Sequence, residues 1–323
     1  MSTVLVTGGA GFIGSALVRS LAGSGAKVRV LDDGSRGAPR RLAGLERTVE
    51  LVNGDVRDPA VVDRACEGVD AVWHLAAVNG TEFFYSKPEL VLDVGVGGMR
   101  NVIAAAITRG VRDLFVASSS EVYQTPPHVP TDESVPLSIP DPLNPRYSYA
   151  GSKLISELLA LNYGRAHFRR VVVFRPHNVY GPDMGWEHVI PQLALRVRDL
   201  ARSTPRGPLR VTIQGDGSET RAFVHIDDAI DGLMSLAERG AHLEIYHVGT
   251  DVETKIADLA VRIGRCFGRD VETVPGPAPA GATRRRCPNI EKLRALGYRP
   301  RVSLDDGLAA TVRWYDEHAD QRP

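Results

Sequence analysis

Short apolar runs punctuate the first half of the chain at Val4 to Val6, Val28 to Leu31, Val49 to Val52, Ala71 to Leu75, Leu114 to Ala117 and Val171 to Phe174. Each is too short for a helix and apolar enough to be covered on both sides, which predicts strands buried on both faces. Between them, apolar positions recur three and four apart. That spacing predicts helices over Gly14 to Ala22, Pro59 to Cys66, Pro88 to Arg109 and Tyr149 to Ala166. Strand and helix in alternation predict an α/β fold, a doubly wound parallel sheet of the Rossmann type, whose ligands sit at the carboxyl ends of the strands.

Residues 124 to 145 break this rhythm with seven prolines and no helical period. They predict an irregular excursion over the carboxyl edge, where long loops shape pockets. From Pro176 onward short strands, turns and helices near Ile226 to Glu238, Lys255 to Phe267 and Ser303 to His318 predict a second lobe. The expected division is a cofactor domain over 1–175, to which segments near 215–250 can return, and a smaller mixed α/β substrate lobe over 176–323. Pro275 to Gly281 reads as a loop.

Composition works by exclusion. Lysine plus arginine equals aspartate plus glutamate at 39 each, so no net field draws the chain to nucleic acid or a membrane. Cys66, Cys266 and Cys287 are few and lack metal-ligand spacing, which argues against a disulfide framework or a metal site and fits a reducing compartment. No apolar run approaches 18 residues, and the first strand candidate begins close to Met1, leaving no room for a signal peptide. The expectation is a soluble, cytoplasmic protein.

The first strand runs into Thr7-Gly-Gly-Ala-Gly-Phe-Ile-Gly14, which contains Gly9-x-Gly11-x-x-Gly14. In this spacing Gly9 permits the strand-to-helix turn, Gly11 lets backbone amides approach a pyrophosphate, and Gly14 lets the helix pack close to the strand. Helix N-terminal amides then hold the negative charge. The second strand ends in Asp32, 18 residues beyond Gly14, where a carboxylate can accept both ribose hydroxyls. Asp32 and Asp33 would repel a 2′-phosphate, which favours NAD over NADP although Arg36 is near. Gly8, Gly11, Phe12, Ile13, Gly14 and Asp32 are therefore candidate cofactor contacts.

Tyr149 and Lys153 stand four apart at the start of the helix that follows the carboxyl-edge excursion, on one helical face. A lysine so placed can depress the tyrosine's pKa, and a tyrosinate can take a hydroxyl proton while hydride leaves to a nicotinamide. The lysine is also free to bond the nicotinamide ribose.

These motifs, with Asn53-Gly-Asp55, His74-Leu-Ala-Ala77, Ser118-Ser-Ser-Glu-Val-Tyr123, Arg175-Pro-His-Asn-Val-Tyr-Gly-Pro182, Gly215-Asp-Gly-Ser-Glu-Thr-Arg221 and Arg286-Cys-Pro-Asn-Ile290, occur in the order seen in extended short-chain dehydrogenases. Across nearly its whole length the chain resembles the NAD-dependent epimerase/dehydratase family acting on nucleotide sugars. The resemblance implies that Asp55 and Val56 flank adenine, that Ala76 and Ala77 line the dinucleotide, and that Ser119 bonds the sugar's 4-hydroxyl beside Tyr149. It also implies that Asn178, Arg221 and Arg286 hold the nucleotide diphosphate end, and that two copies pair as a homodimer through the helices at Pro88 and Tyr149.

Glu121 occupies a position where simple 4-epimerases of the family carry no acid, whereas family dehydratases and uronic-acid decarboxylases carry a glutamate there. Once carbon 4 is a ketone, the hydrogen on carbon 3 or 5 is acidic and a carboxylate beside the ring can remove it. Asn79-Gly-Thr-Glu-Phe-Phe84 and Trp186-Glu-His188 resemble segments of GDP-mannose 3,5-epimerases, whose Cys/Lys acid–base pair would here be Glu121 with Glu187 or His188. Epimerisation is the favoured outcome, because Ser120 stands where one dehydratase group has an aspartate. Dehydration to a 4-keto-6-deoxy sugar and decarboxylation of a uronic acid stay open, as does a catalytically silent NAD-binding regulator on the same fold. Gln124 departs from the family's usual glycine after Val-Tyr.

Overall fold

The computed structural model describes residues 2–277 and 283–322. Seven strands, β1 (Thr3–Thr7), β2 (Lys27–Asp32), β3 (Val49–Asn53), β4 (Ala71–His74), β5 (Asp113–Ala117), β6 (Arg170–Pro176) and β7 (Glu244–Val248), form one parallel sheet in the order β7-β6-β5-β4-β1-β2-β3. The first six match the apolar runs to within one or two residues at each end. The seventh, Glu-Ile-Tyr-His-Val, is an edge strand whose polar residues hid it from a search for continuous apolar runs. The order reverses between β1 and β4, which opens a crevice at their carboxyl ends.

Helices α1 (Phe12–Gly23), α2 (Pro59–Ala65), α3 (Pro88–Thr108), α4 (Ser148–His167), α5 (Val189–Ser203), α6 (Ile226–Arg239), α7 (Ile256–Cys266) and α8 (Leu304–Glu317) complete the frame. Leu17 and Val18 of α1 and Ile230 and Leu233 of α6 pack with Val4, Val6 and Val28 on one face of the sheet. Val62 of α2, Val102 and Ile103 of α3 and Ala160 of α4 pack with Leu5, Leu31 and Leu114 on the other. A separate core joins Ile190 and Leu193 of α5, Leu259 of α7 and Leu308 and Val312 of α8 over Leu209, Val211 and Ile213. Helix α5 escaped the sequence reading because Pro191 looks like a helix breaker. Within the first turn its missing N–H costs nothing, since those amides have no intrahelical partner.

Helix α3 holds no continuous apolar run of about 18 residues, since Glu89, Asp93 and Arg100 interrupt it. It is long and apolar enough by composition to cross a membrane, with mean hydropathy 1.6, yet half of that stretch is buried inside the protein. It widens to a π-helical turn over Asp93–Gly97 where it meets α4. There Ser156 Oγ donates to the Gly95 carbonyl at 3.1 Å, and a Cβ on Gly95 would lie 2.6 Å from that of Ser152. This close approach fixes the helix that carries Tyr149 and Lys153. Residues Ala278 to Gly281 of the expected loop lie outside the described residues, whereas Val271–Gly276 is a strand.

Candidate active site

The glycine turn differs in detail from its sequence reading. Gly8, rather than Gly9, takes the left-handed conformation at φ +71°, because the chain must reverse there with no room for a side chain: a Cβ would lie 2.8 Å from the Ala76 nitrogen. Gly9 instead lies against the Val30 side chain, and a Cβ on Gly14 would collide with the Gly8 carbonyl. Gly11 caps α1 without a side chain, so the first-turn amides remain directed at the crevice. Asp32 accepts from the Ala10 and Gly34 amides, both at 2.9 Å, which pins its carboxylate at the end of β2.

The crevice is lined by Gly8, Gly11, Asp32, Asp55, Val56, Ala76 and Ala77 from the expected set, together with Asp33, Ser35 and Arg36. Phe12 and Ile13 lie behind this lining, against the core. The cradle that a Cβ would fill, the open helix N-terminus and the carboxylate at the strand end suit an adenine dinucleotide.

Tyr149 and Lys153 come to one face of α4, both buried. Burial pushes the Tyr149 hydroxyl up to about 12, a hydrogen bond with Ser119 works against that, and Glu121 adds to the rise. Lys153 Nζ donates to the Ala117 carbonyl at 2.7 Å and stands 5.8 Å from the centre of the Tyr149 ring. Burial lowers Lys153 itself to about 8, with Glu157 opposing. The Tyr149 ring stacks on Phe84 of the short helix Thr81–Ser86, with centroids 5.0 Å apart. Phe84 was not a candidate in the sequence, and only its place in the Asn79–Phe84 loop pointed near it.

Glu121 sits in the turn after β5, where its amide donates to Ser119 Oγ at 3.2 Å. Its carboxylate bonds Arg286 at 2.5 Å. Burial would raise its pKa, but Arg286, Arg146 and Arg221 outweigh it and hold the carboxyl below its ordinary value. A closed ring supports this pair. Gln124 Nε2 donates to the Glu121 carbonyl at 2.6 Å, Thr283 Oγ1 to the Gln124 carbonyl at 2.9 Å, and Arg286 to Thr283 Oγ1 at 3.2 Å. Gln124 carries φ 52° and ψ −97°, which explains why glycine is usual at this place and gives its departure a structural use. Arg146 and Thr283 gave no sequence signal of their own.

Arg221 and Arg286 lie side by side because Thr220–Ala222 pairs in parallel with Arg285–Arg286 and puts the two arginines in register. Burial and the neighbouring Arg286 lower Arg221 to about 10. Asn178, at φ 42°, donates to the Ala222 carbonyl at 3.2 Å and so belongs to the same wall. Glu187 and His188 are placed differently. Arg36 feels Glu187 and Glu82 and lies 4.7 Å over the Phe83 ring, and His188 is lowered by burial and by Arg36. The two residues thus stand beside Arg36 and the Phe83–Phe84 loop, whereas the charges that govern Glu121 are arginines.

A model of the NAD-dependent epimerase/dehydratase family matches residues 4–249. The UDP-glucose 4-epimerase of Mycolicibacterium smegmatis is 33% identical over 318 residues, covering 96% of this chain and 97% of its own. The dTDP-glucose 4,6-dehydratase of Streptomyces antibioticus is 32% identical over 324 residues, 98% and 92% of the two chains. UDP-glucuronic acid decarboxylase 6 of Arabidopsis thaliana is 31% identical over 310 residues, 94% and 86%. Among solved structures, the dTDP-glucose 4,6-dehydratase of Streptomyces venezuelae with NAD bound superposes with a TM-score of 0.86 at 33% identity, covering 99% of this chain and 98% of that one.

Proposed function

The chain belongs to the NAD-dependent epimerase/dehydratase family of nucleotide-sugar enzymes, and on that premise we propose that it is an epimerase working through a transient 4-keto sugar. Gly8, Gly11, Asp32 and Ala76 would hold NAD in the crevice, and the cofactor would supply reversible hydride acceptance at carbon 4 with no net redox change. Tyr149, oriented by Ser119 and covered by Phe84, removes the 4-hydroxyl proton. The buried Lys153 ammonium is the nearby cation that favours the tyrosinate as it forms.

The observation that carries the next step is the Glu121–Arg286 pair. A carboxylate held ionised next to Tyr149 is a base, ready for the acidic hydrogen on a carbon beside the ketone. It is poorly suited to protonate a leaving hydroxyl, and Ser120 at the neighbouring position is not an acid. Glu187 or His188, beside the loop that covers Tyr149, would return the proton from the opposite face. Arg221, Arg286 and Asn178 would hold the nucleotide diphosphate, for which arginine forks supply paired, charge-assisted bonds.

A second reading has one specific support. Three arginines around Glu121 could seat a sugar carboxylate, and uronic-acid decarboxylases are among the similar chains. Turnover of a nucleotide-sugar panel in heavy water separates these outcomes by mass. An unchanged skeleton with new deuterium supports epimerisation beside carbon 4, loss of carbon dioxide the second reading, and loss of water a dehydratase. Exposed Ile155 and Leu158 on α4 and Leu92 on α3 support pairing of two copies through these helices, which the mass in solution tests.

A further inference from the structure

Strand β2 runs into a loop whose Asp33, Ser35, Arg36 and Gly37 form one wall of the dinucleotide crevice. Both ends of this wall meet a single peptide of the glycine turn. Asp32 accepts from the Ala10 amide at 2.9 Å, and the Ala38 amide donates to the Ala10 carbonyl at 2.9 Å. The chain then enters the 3₁₀ turn Pro39–Leu42, where Arg41 donates to that same carbonyl at 3.3 Å.

The other donors of Arg41, with those of Arg40, reach across to Asp183, which lies 142 and 143 residues further along the chain. Arg40 grips the carboxylate with both terminal nitrogens, at 2.5 and 2.8 Å. Arg41 bonds it through Nε at 3.0 Å and Nη2 at 3.1 Å, and Nη2 also donates to the Asp183 carbonyl at 2.8 Å. The aspartate is anchored in the second lobe, since its neighbour Met184 packs in the core of that lobe and accepts from the Tyr315 hydroxyl of α8. Asp183 stands at φ +60°, which glycine would adopt at less cost, so the carboxylate has a use. Partial burial would raise its pKa, but the two arginines outweigh it and keep the carboxyl below its ordinary value. The second lobe is thereby fastened to the far end of the crevice wall and, through Arg41, to the glycine turn. An enzyme that stores a hydride must keep its reduced cofactor until the hydride returns, and this clasp restrains the wall that would have to move.

We propose that Asp183 is a positioning residue: by clasping Arg40 and Arg41 it holds the crevice wall closed on the dinucleotide and retains the reduced cofactor until its hydride is returned. The need for retention rests on the internal hydride return of the proposed mechanism, whereas the test uses no sugar and reads the clasp by itself. The protein is loaded with NADH and mixed with a large excess of NAD, and release is followed as the loss of bound-NADH fluorescence. Asp183→Asn, which tolerates the left-handed backbone and keeps the shape but loses the charge, is expected to release NADH ~10-fold faster than the parent at low salt. Arg40→Gln, at a side chain that is 54% exposed, is expected to give ~3-fold and carries the comparison should the first variant fold poorly. High salt should shrink the ratio between variant and parent towards one, because it screens a pair that the variant already lacks. A general loosening of the fold would leave that ratio unchanged. Release from both variants at the parent rate, or a ratio indifferent to salt, would overturn the clasp alone. A parent that retains no NADH would overturn cofactor retention with it, and absence of turnover with any nucleotide sugar would overturn the epimerase reading while leaving the measured release standing.

Discussion

Two glutamate–arginine pairs lie within reach of the end of β5, and they are built to opposite specifications. Glu157 and Arg175 are 3% and 2% exposed and joined by two parallel bonds, at 2.8 and 2.6 Å. Ser118 donates to the same carboxylate, and Arg175 also reaches the Tyr123 hydroxyl and lies 4.9 Å from its ring. Glu121 and Arg286 share a single bond, the glutamate is 26% exposed, and the charge around it is in excess, with Arg146 and Arg221 also acting on it. A saturated pair has no capacity for a ligand and serves to lock β6 to α4. A pair with one bond and surplus cations can exchange partners with a substrate. In the proposed mechanism the same two residue types are therefore scaffold in one place and chemistry in the other, and the number of spare hydrogen-bond positions distinguishes them.

Glu121→Gln should break the comparison most visibly. Product formation should fall ~10²–10⁴-fold, as expected for loss of a proton-transfer group, while the thermal midpoint moves little and the absorbance rise on carbon-4 oxidation persists. Glu157→Gln should do the reverse: the unfolding free energy measured in denaturant should drop by about 3–5 kcal/mol, because Arg175 is left buried and uncompensated. If Glu157→Gln stayed as stable as the parent, the scaffold reading would fail.

Sequence periodicity found the first six strands of the sheet, because they are short continuous apolar runs, but not the polar edge strand β7. The glycine turn was legible for a similar reason, since a backbone that passes this close to Ala76 tolerates no side chain, although the left-handed position proved to be Gly8. Motif resemblance pointed to Glu121 and Arg286 separately. Their union spans 165 residues and has no local signature. Phe84 over Tyr149 and the clasp of Asp183 on Arg40 and Arg41 are likewise products of tertiary packing. Gln124 was visible only as a departure from a usual glycine, and the positive φ supplies its meaning.

Smaller effects sharpen the contrast. The pH profile of kcat/KM should lose its upper limb near pH 8, where buried Lys153 gives up its proton. Glu121 should contribute no lower limb within or above the ordinary carboxylate range, because the arginines keep it ionised. The same lowered value means that the pair's contribution to stability is present above the unfolded-state pKa of glutamate and is lost as pH falls through the folded one. A limb near pH 6 that disappears in Glu121→Gln would contradict the assignment of Glu121 as an arginine-held base. Smallest of all, Gln124→Gly should relieve backbone strain of about 1–3 kcal/mol but forfeit the bond to the Glu121 carbonyl, leaving a net change within about 1 kcal/mol by chemical denaturation.

The most direct test compares the parent enzyme and Glu121→Gln during a single exposure to nucleotide sugar in heavy water, following absorbance near ~340 nm together with deuterium in the recovered sugar. The account predicts that both proteins reduce their cofactor, that the parent places solvent deuterium on a carbon next to carbon 4, and that the variant does so at least ~10²-fold more slowly. Equal deuterium incorporation by the two proteins, or turnover by the parent with none at all, would contradict it.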